Sequence, residues 1–432
     1  MKLLLIFFTL LIFSCSSDKD KKVDLEIFKK QGEKINVFEV NNVFDKEVDS
    51  KSILQLNQAQ LNKKWTYEHY SSNNFYDHLV YEGKFQDIFK KNIGDYINKN
   101  NDSGSLLVFE NFIFFSDEKG RIYKFDLNSQ KTIWELKIYD SSYNDYPKNI
   151  ALFLNADVLY AADNLGFVYS IDTQTGKTIW QQNYGIPFSS HLNFHKGVLY
   201  VVNQNSRLYA FNPSDGQKIW SFESLSGLIK PSRSSNISLY DNKLLFSNDV
   251  GDITAIDLDQ QVIIWTKNIL SQNSISNNLV FKISNILIDK KEVFVSSNSG
   301  DLFNFNVESG EIKWSQKLNS IQNHISTDKY LFSLTENGFV VAFNKTNGNI
   351  LWSVNLSKLS KDSKIKVDYY GLLLASNNLY ATSSNGDIYK ISALDGKYIS
   401  HKKINSDLSR APIVVDNKIF ILNRSSELII LN

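Results

Sequence analysis

Apolar residues in this chain recur in short strand-like runs, and one fifteen-residue pattern returns seven times. The seven segments are GRIYKFDLNSQKTIW (120–134), GFVYSIDTQTGKTIW (166–180), SRLYAFNPSDGQKIW (206–220), GDITAIDLDQQVIIW (251–265), GDLFNFNVESGEIKW (300–314), GFVVAFNKTNGNILW (338–352) and GDIYKISALDGKYIS (386–400). Six of them end in tryptophan, and these tryptophans are 46, 40, 45, 49 and 38 residues apart. A quasi-regular period of this size indicates a repeat architecture.

Each segment predicts two β-strands joined by a tight turn. Successive apolar residues in the first half, such as Ile122 and Tyr123, are typical of a strand buried on both faces. An Asp or Asn follows this strand in six copies, and a glycine stands four residues later in five. Hairpin turns favour these residues, because Asx side chains bond nearby backbone and glycine accepts a left-handed conformation.

Two further apolar runs precede each segment, as in GVLYVVN (197–203), KLLFSND (243–249) and NNLYATS (377–383). Each repeat is therefore expected to be a four-stranded antiparallel sheet. Such a sheet cannot bury both of its faces alone, but sheets arranged radially cover one another. The sequence thus predicts an all-β protein, a β-propeller, and the strand-like alternation excludes helical repeats.

The blade count and the closure of the ring follow from the chain ends. Seven units are complete, and SELIILN (426–432) repeats the strand of an eighth, so we expect eight blades. The missing outer strand of the eighth blade must come from elsewhere. Trp65 precedes the first unit and lies outside the repeat register, so we expect its strand to close the last blade and remove free edges. A surface tryptophan in a leader strand is the alternative.

The N-terminus carries an unbroken apolar run, Leu3–Phe13, followed by the only cysteine, Cys15. Eleven residues are too few to span a bilayer, which takes about 20, but they suit a signal-peptide core. This segment resembles the lipobox of bacterial lipoproteins. The resemblance implies cleavage before Cys15, lipidation of Cys15 (a palmitate-type anchor) and, from Ser16, sorting to the outer membrane. A free thiol after an ordinary signal peptide is the alternative.

The expected organisation is therefore a signal peptide at 1–14, a tether and approach segment at 15–58, and a propeller at 59–432.

Composition and scattered histidines narrow the possible functions. Lys plus Arg is 47 and Asp plus Glu is 46, a net charge of +1, which argues against a nucleic-acid binder. His191 and His195 are four residues apart but fall in a strand-and-turn pattern, so they do not share the helical face of a zinc motif. The other histidines, including His324, are expected in loops or at the surface. We expect no metal and no catalytic site.

The repeat resembles the quinoprotein-type propeller repeat, which is shared by quinone-dependent (PQQ) alcohol and sugar dehydrogenases and by the BamB family of outer-membrane-protein assembly factors. The lipoprotein signal and the segments Gly32–Phe38 and Leu56–Trp65 resemble BamB. That resemblance implies a non-enzymatic scaffold without a cofactor at the periplasmic face of the outer membrane. It would bind the periplasmic POTRA domains of BamA and other assembly subunits, and aid assembly and insertion of β-barrel proteins.

The resemblance also implies a contact loop between the third and fourth repeats. In residues 224–232, Leu225, Gly227 and Pro231 match the family, but Ser226 replaces its arginine, and residues 266–288 lack its acidic pair. An ordinary inter-blade turn, or a propeller with another periplasmic partner, stays possible. A quinoprotein enzyme is a further alternative, although one cysteine cannot form the disulfide that the alcohol dehydrogenases use. Outer strands could also pair with extended substrates.

Overall fold

The computed structural model describes residues 44–95, 105–143, 146, 148–228, 235–270, 280–359, 367–404 and 407–432. The sequence-predicted residues Cys15 and Pro231 lie outside these ranges. Regular structure in the described residues is almost entirely β, with short 3₁₀ turns at Ser141–Tyr143 and Leu356–Lys358. None of the helices in these ranges has the length and apolar character that a bilayer crossing requires.

The strands form eight antiparallel sheets. The first two strands and blade 1 are β1 (Lys64–Trp65), β2 (Asp87–Asn92), β3 (Leu106–Phe109), β4 (Phe112–Ser116), β5 (Arg121–Asp126) and β6 (Lys131–Lys137). Blades 2 and 3 are β7 (Ile150–Asn155), β8 (Val158–Asp163), β9 (Phe167–Asp172), β10 (Thr178–Asn183), β11 (Asn193–His195), β12 (Val198–Val202), β13 (Arg207–Phe211) and β14 (Lys218–Glu223). Blades 4 and 5 are β15 (Ile237–Tyr240), β16 (Lys243–Ser247), β17 (Asp252–Asp257), β18 (Val262–Asn268), β19 (Leu287–Asp289), β20 (Glu292–Ser296), β21 (Asp301–Asn306) and β22 (Ile312–Lys317). Blades 6, 7 and 8 are β23 (Ile325–Ser326), β24 (Tyr330–Leu334), β25 (Phe339–Asn344), β26 (Ile350–Asn355), β27 (Tyr369–Ala375), β28 (Asn378–Ser383), β29 (Asp387–Ser392), β30 (Tyr398–Lys403), β31 (Ile413–Val415), β32 (Lys418–Leu422) and β33 (Glu427–Leu431).

The sheets are the blades of a propeller, as the repeat predicts. In each blade the first strand lies at the ring axis, beside the first strands of its neighbours, as β11, β15 and β19 do. The fourth strand is outermost, so β7 is almost wholly buried whereas β10 is mostly solvent-exposed. The eight-bladed all-β architecture is confirmed.

The ring has two faces with different loops. We call one the hairpin face, because it carries the Asx–Gly turns between third and fourth strands, such as residues 173–177. We call the other the linker face, because it carries the connections from one blade to the next, such as residues 184–192. Any loop between an outermost strand and the next innermost strand therefore lies on the linker face.

An N-terminal strand closes the last blade, as expected, but it is not the strand of Trp65. β2 pairs with β33, with Asp87 opposite Leu431 and Asn92 opposite Glu427. The backbone bonds continue past the strand, since Gln86 and Asn432 exchange N–H···O bonds of 2.8 and 2.9 Å. Trp65 instead lies opposite Val108 of β3, at the inner edge of blade 1, which therefore has five strands.

The prediction for Trp65 was wrong because the closing strand replaces tryptophan with phenylalanine. In β10 a bulge separates Thr178 from Trp180, and in β2 the same bulge separates Asp87 from Phe89. The residues between them, Ile179 and Ile88, are exposed alike, at 53% and 52%. The signal that marks β2 in the sequence is therefore Asp-Ile-Phe in place of Thr-Ile-Trp.

Neighbouring blades are joined by a tryptophan that packs on the turn of the next blade. The indole N–H of Trp134 donates to the carbonyl of Thr173 at 2.9 Å, and the rings of Trp180, Trp265 and Trp314 bond the equivalent turns in the same way. The ring also lies flat against the turn glycine. An added Cβ at Gly310 would stand 2.6 Å from Trp265, and Gly176, Gly216, Gly348 and Gly396 have the same relation to the preceding tryptophan.

The exceptions show what the glycine is for. Gln130 occupies the turn position in blade 1, and its preceding blade contributes Phe89 and Lys91 rather than a tryptophan. Gln261 occupies it in blade 4, opposite Trp220, and holds a positive φ of 57°. Glycine is thus required by two conditions together, the left-handed backbone and the ring above it.

We expect Gly310→Ala to lower the free energy of unfolding by about 2–4 kcal/mol, because it adds overlap with Trp265 to the cost of a left-handed alanine. Gly197→Ala is the matched control, since Gly197 has a φ of +76° but nothing within 4 Å of its added Cβ. That control should lose only about 1–2 kcal/mol. Equilibrium urea unfolding measures both, and equal losses would contradict the inter-blade contact.

Candidate functional site

The hairpin-face end of the central channel is filled by residues 60–81, which we call the plug. Backbone bonds tie the plug to the innermost strands of blades 1 to 5, 7 and 8. They include Leu154 N–H to Thr66 O (2.9 Å), Leu239 N–H to Ser72 O (2.9 Å), Ile288 N–H to Asn73 O (3.0 Å), Leu79 N–H to Leu374 O (3.0 Å) and Asp416 N–H to Asn62 O (2.8 Å). Asn193 Nδ2 adds a 2.6 Å bond to Ser72 O, and β1 pairs with β3. The plug therefore joins blades that are far apart in the ring.

Aromatic side chains make the plug dense. Trp65 is 1% exposed and packs edge-on against Tyr70, with ring centroids 4.9 Å apart, and against Tyr76 at 5.8 Å. Burial, followed by the negative charge of Glu68, raises the pKa of Tyr76 well above its usual range. Tyr76 is therefore a neutral phenol at physiological pH and serves packing rather than acid–base chemistry.

Above the plug, a funnel of about 690 Å³ opens on the linker face. Trp65, His69 and Tyr76 line its floor, and loop residues such as His191 and Tyr370 line its wall. The charged side chains in the lining are balanced: Lys282, Arg410 and Arg424 accompany Glu68, Glu336 and Asp368. A wall of mixed sign does not concentrate a ligand of one charge.

The loop after blade 3 is held rigidly on the same face. Asp249, in the next blade, accepts the N–H of Gly227 at 2.9 Å and the hydroxyls of Ser226 and Ser206, each at 3.2 Å. Asn248 Nδ2 donates to Ser224 Oγ at 2.9 Å. These bonds fix residues 224–228 to blade 4.

The anchored loop presents its apolar side chains to solvent. Leu225 is 73% exposed and Leu228 is fully exposed, although loops rarely hold large aliphatic groups outward without a partner. Of the sequence-predicted contact residues, Leu225 and Gly227 are thus in one fixed loop, and Leu228 is an addition that its exposure alone identifies. At the positions of the family's acidic pair, Phe281 and Ile283 are buried, at 9% and 7% exposure.

The histidines are dispersed, and one of them is deeper than expected. His191 lies in the linker before blade 3, whereas His195 ends β11 toward the hairpin face, so the two do not form a site. The prediction that His324 is a surface or loop residue was wrong. It is 1% exposed between blades 5 and 6, because Ser296 Oγ at 2.9 Å from Nε2 and Ser333 Oγ at 2.8 Å from Nδ1 satisfy both ring nitrogens.

The fold and this loop face define a quinoprotein-type propeller whose distinctive surface is a protein-facing one. A family model described as "Outer membrane protein assembly factor BamB" matches residues 118–354 and 336–432. The chain therefore belongs to the BamB family. A relative from Yersinia pestis with that same description is 22% identical over 323 residues, which cover 72% of this chain and 80% of the relative.

Solved structures support the same fold. The crystal structure of BamB from Moraxella catarrhalis matches with a TM-score of 0.66 at 14% identity, covering 80% of this chain and 99% of that one. The quinohemoprotein alcohol dehydrogenase from Comamonas testosteroni matches with a TM-score of 0.64 at 11% identity, covering 84% and 77%. At these identities the likeness concerns the fold alone, and enzymes share it.

The enzyme neighbours raise the question of whether this ring offers donors for a metal-bound quinone. Across the ranges that the structure describes, no three His, Cys, Asp or Glu side chains converge where they could hold a metal ion. The acids of the funnel stand among cations rather than together. The donor set of the described residues therefore does not fit such a cofactor, and we derive no chemistry through one.

His324 gives the fold a predictable pH dependence. Burial lowers the pKa of His324 to about 3, from an ordinary value of 6.5. Between these values the unfolded chain binds a proton that the folded chain refuses, so this contribution to stability is complete above pH 6.5 and is lost as the pH falls toward 3. The slope from this one group is at most about 1.4 kcal/mol per pH unit.

We expect His324→Gln, which keeps a hydrogen-bonding side chain of similar length, to reduce the loss of stability between pH 7 and pH 5. Urea unfolding of both proteins at several pH values in this range measures the difference. Identical pH slopes in the two proteins would contradict the assignment of this acid sensitivity to His324.

Proposed function

We propose that this protein is a non-enzymatic scaffold lipoprotein of the outer-membrane β-barrel assembly machinery, which binds the POTRA region of BamA. Its role is to aid assembly and insertion of β-barrel proteins at the periplasmic face of the outer membrane. The observation that carries the proposal is the anchored loop of residues 224–228, with Leu225 and Leu228 exposed on the linker face. Membership of the BamB family supports the choice of partner.

The loop suits a stable protein contact for energetic reasons. Burying a leucine side chain is worth about 1.5–3 kcal/mol, and two adjacent leucines can form the centre of an interface. The bonds from Asp249 fix the loop before a partner arrives, so little conformational entropy remains to be lost on binding. An ordinary inter-blade turn gains nothing from two exposed leucines.

The contact is expected to be mainly apolar. Ser226 stands where the family has arginine, and its hydroxyl bonds Asp249 instead of reaching outward. Phe281 and Ile283, at the family's acidic positions, are buried in the ring. Because no described charge takes over their role at this loop, binding should depend weakly on salt concentration.

The anchor and the tether are part of the proposal. Cys15 would carry the lipid, and the described chain starts at Phe44, which bonds Asn319 Oδ1 through its N–H at 3.1 Å and accepts Asn337 Nδ2 at 2.7 Å. These partners lie on the linker face, between blades 5 and 6. The chain thus joins the ring on the same face as the leucine loop.

We expect Leu225→Asp to weaken binding to a purified POTRA region at least about tenfold, which corresponds to 1.4 kcal/mol. Ile53→Asp is the matched control, since Ile53 is 72% exposed but lies far along the chain from this loop. Calorimetric titration at low and high salt measures both variants. Binding by Leu225→Asp at the strength of the unchanged protein, or an equal loss in Ile53→Asp, would overturn the proposed interface.

Cys15→Ser should release the protein from membranes into the soluble periplasmic fraction, because a single serine cannot be lipidated. Ser16→Asp is the companion variant, which should keep the lipid but move the protein to the inner membrane. Density-gradient fractionation of envelopes separates these outcomes. A Cys15→Ser protein that stays in the outer-membrane fraction would contradict the lipid anchor.

A further inference from the structure

The outer edge of blade 4 differs from the other outer edges of the ring. In β18 the residues Val262, Ile263 and Ile264 are all exposed, at 48%, 49% and 36%, and Lys267 is the only charged residue of the strand. Charged residues interrupt the outer strands β6, β14, β22, β30 and β2, while β10 exposes only one large aliphatic residue, Ile179. Edge strands normally carry such charges because they prevent pairing with other chains.

The other apolar outer strand, β26, is already covered by the chain itself. Val48 and Ser353 form an antiparallel bridge, with Ser353 N–H to Val48 O at 2.9 Å and Val48 N–H to Ser353 O at 3.4 Å. Ser353 Oγ also donates to Lys46 O at 2.6 Å. Blade 6 therefore shows that an outer edge of this ring accepts a further extended segment.

The register of the repeat transfers this geometry to blade 4. Ser353 follows Trp352 and stands opposite Val341, and Thr266 follows Trp265 and stands opposite Thr254. Because Ser353 uses both its N–H and its C=O toward the added segment, the equivalent groups of Thr266 face outward. They form one ready pairing position beside the exposed aliphatic residues.

Nothing in the described part of the chain takes that position. The bridges and loop bonds that join separate segments reach the innermost strands and β26, but none reaches the outer edge of β18. The chain thus has two apolar outer edges of similar kind, and its own N-terminal segment covers one.

We propose that the outer edge of β18 binds an extended segment of a client polypeptide by antiparallel backbone pairing at Thr266, with apolar side chains of the client against Val262, Ile263 and Ile264. Main-chain hydrogen bonds supply affinity for many sequences, and the aliphatic run selects segments with apolar residues at alternate positions. Strands of outer-membrane barrels have that alternation. The identity of the client, but not the pairing site, rests on the proposed function.

The test uses the mature full-length protein in mild detergent and a fluorescein-labelled ten-residue peptide of alternating valine and threonine. Thr266→Pro removes the outward N–H without removing a bond to β17, and Ile264→Lys places a charge on the edge. Gln181→Pro and Ile179→Lys are the matched controls, because Gln181 and Ile179 flank Trp180 of β10 in the same register. A second peptide carries N-methyl groups on alternate amides, which prevents backbone pairing.

Fluorescence anisotropy should show binding by the unchanged protein and both β10 variants, and at least tenfold weaker binding by both β18 variants. The N-methylated peptide should bind at least tenfold more weakly to all five proteins. The proposal is overturned if the peptide does not bind the unchanged protein, if the β18 variants bind normally, or if N-methylation has no effect. It is also overturned if binding requires removal of residues 1–43, because the chain would then cover its own edge.

The same variants separate this proposal from the proposed function. POTRA binding by the β18 variants should equal that of the unchanged protein, which also shows that the ring is intact. Peptide binding without POTRA binding in the unchanged protein would support the edge site and contradict the scaffold role. POTRA binding without peptide binding would do the reverse.

Discussion

The contact between the tryptophan of one blade and the turn of the next is the constraint on which the ring depends. A four-stranded blade leaves both faces apolar, and only its neighbours can cover them. The indole ring covers the turn, its N–H satisfies a turn carbonyl, and the turn must then lack a side chain where the ring lies. The plug adds a second constraint at the axis, because it bonds the innermost strands of blades that do not touch one another. Together they make a ring whose loops are held in fixed positions.

Much of the fold could be predicted from the sequence, because the repeat imposes the same environment on each copy. The all-β class, the eight blades and closure by an N-terminal strand follow from that periodicity. The tryptophan and glycine columns were visible, but their contact was not, since it joins different blades and no pattern within one repeat reports it. Trp65 misled because it is the one tryptophan outside the register, while the closing strand carries Phe89 at the tryptophan position. The plug has no repeat at all, so only its contacts identify it.

The candidate site could be predicted less well, because exposure is a tertiary property. Leu225 and Gly227 were accessible through family resemblance, whereas Leu228 became visible only when the loop was seen to be anchored by Asp249. His324 could not be recognised as buried, since the serines that satisfy it come from separate strands. The two faces now have distinct roles. The hairpin face is closed by the plug, and the linker face carries the leucine loop, the funnel and the point where the tether joins the ring.

The central claim is that this linker face binds the barrel-inserting subunit of the assembly machinery. The most direct test is a crosslinked pull-down of the tagged, membrane-bound protein from solubilised envelopes, followed by mass spectrometry of the captured proteins and of the crosslinked peptides. The account predicts that BamA is captured, with crosslinks from its POTRA domains to residues around 224–228. Recovery of intact, membrane-bound protein without BamA, or with crosslinks confined to the hairpin face, would contradict it.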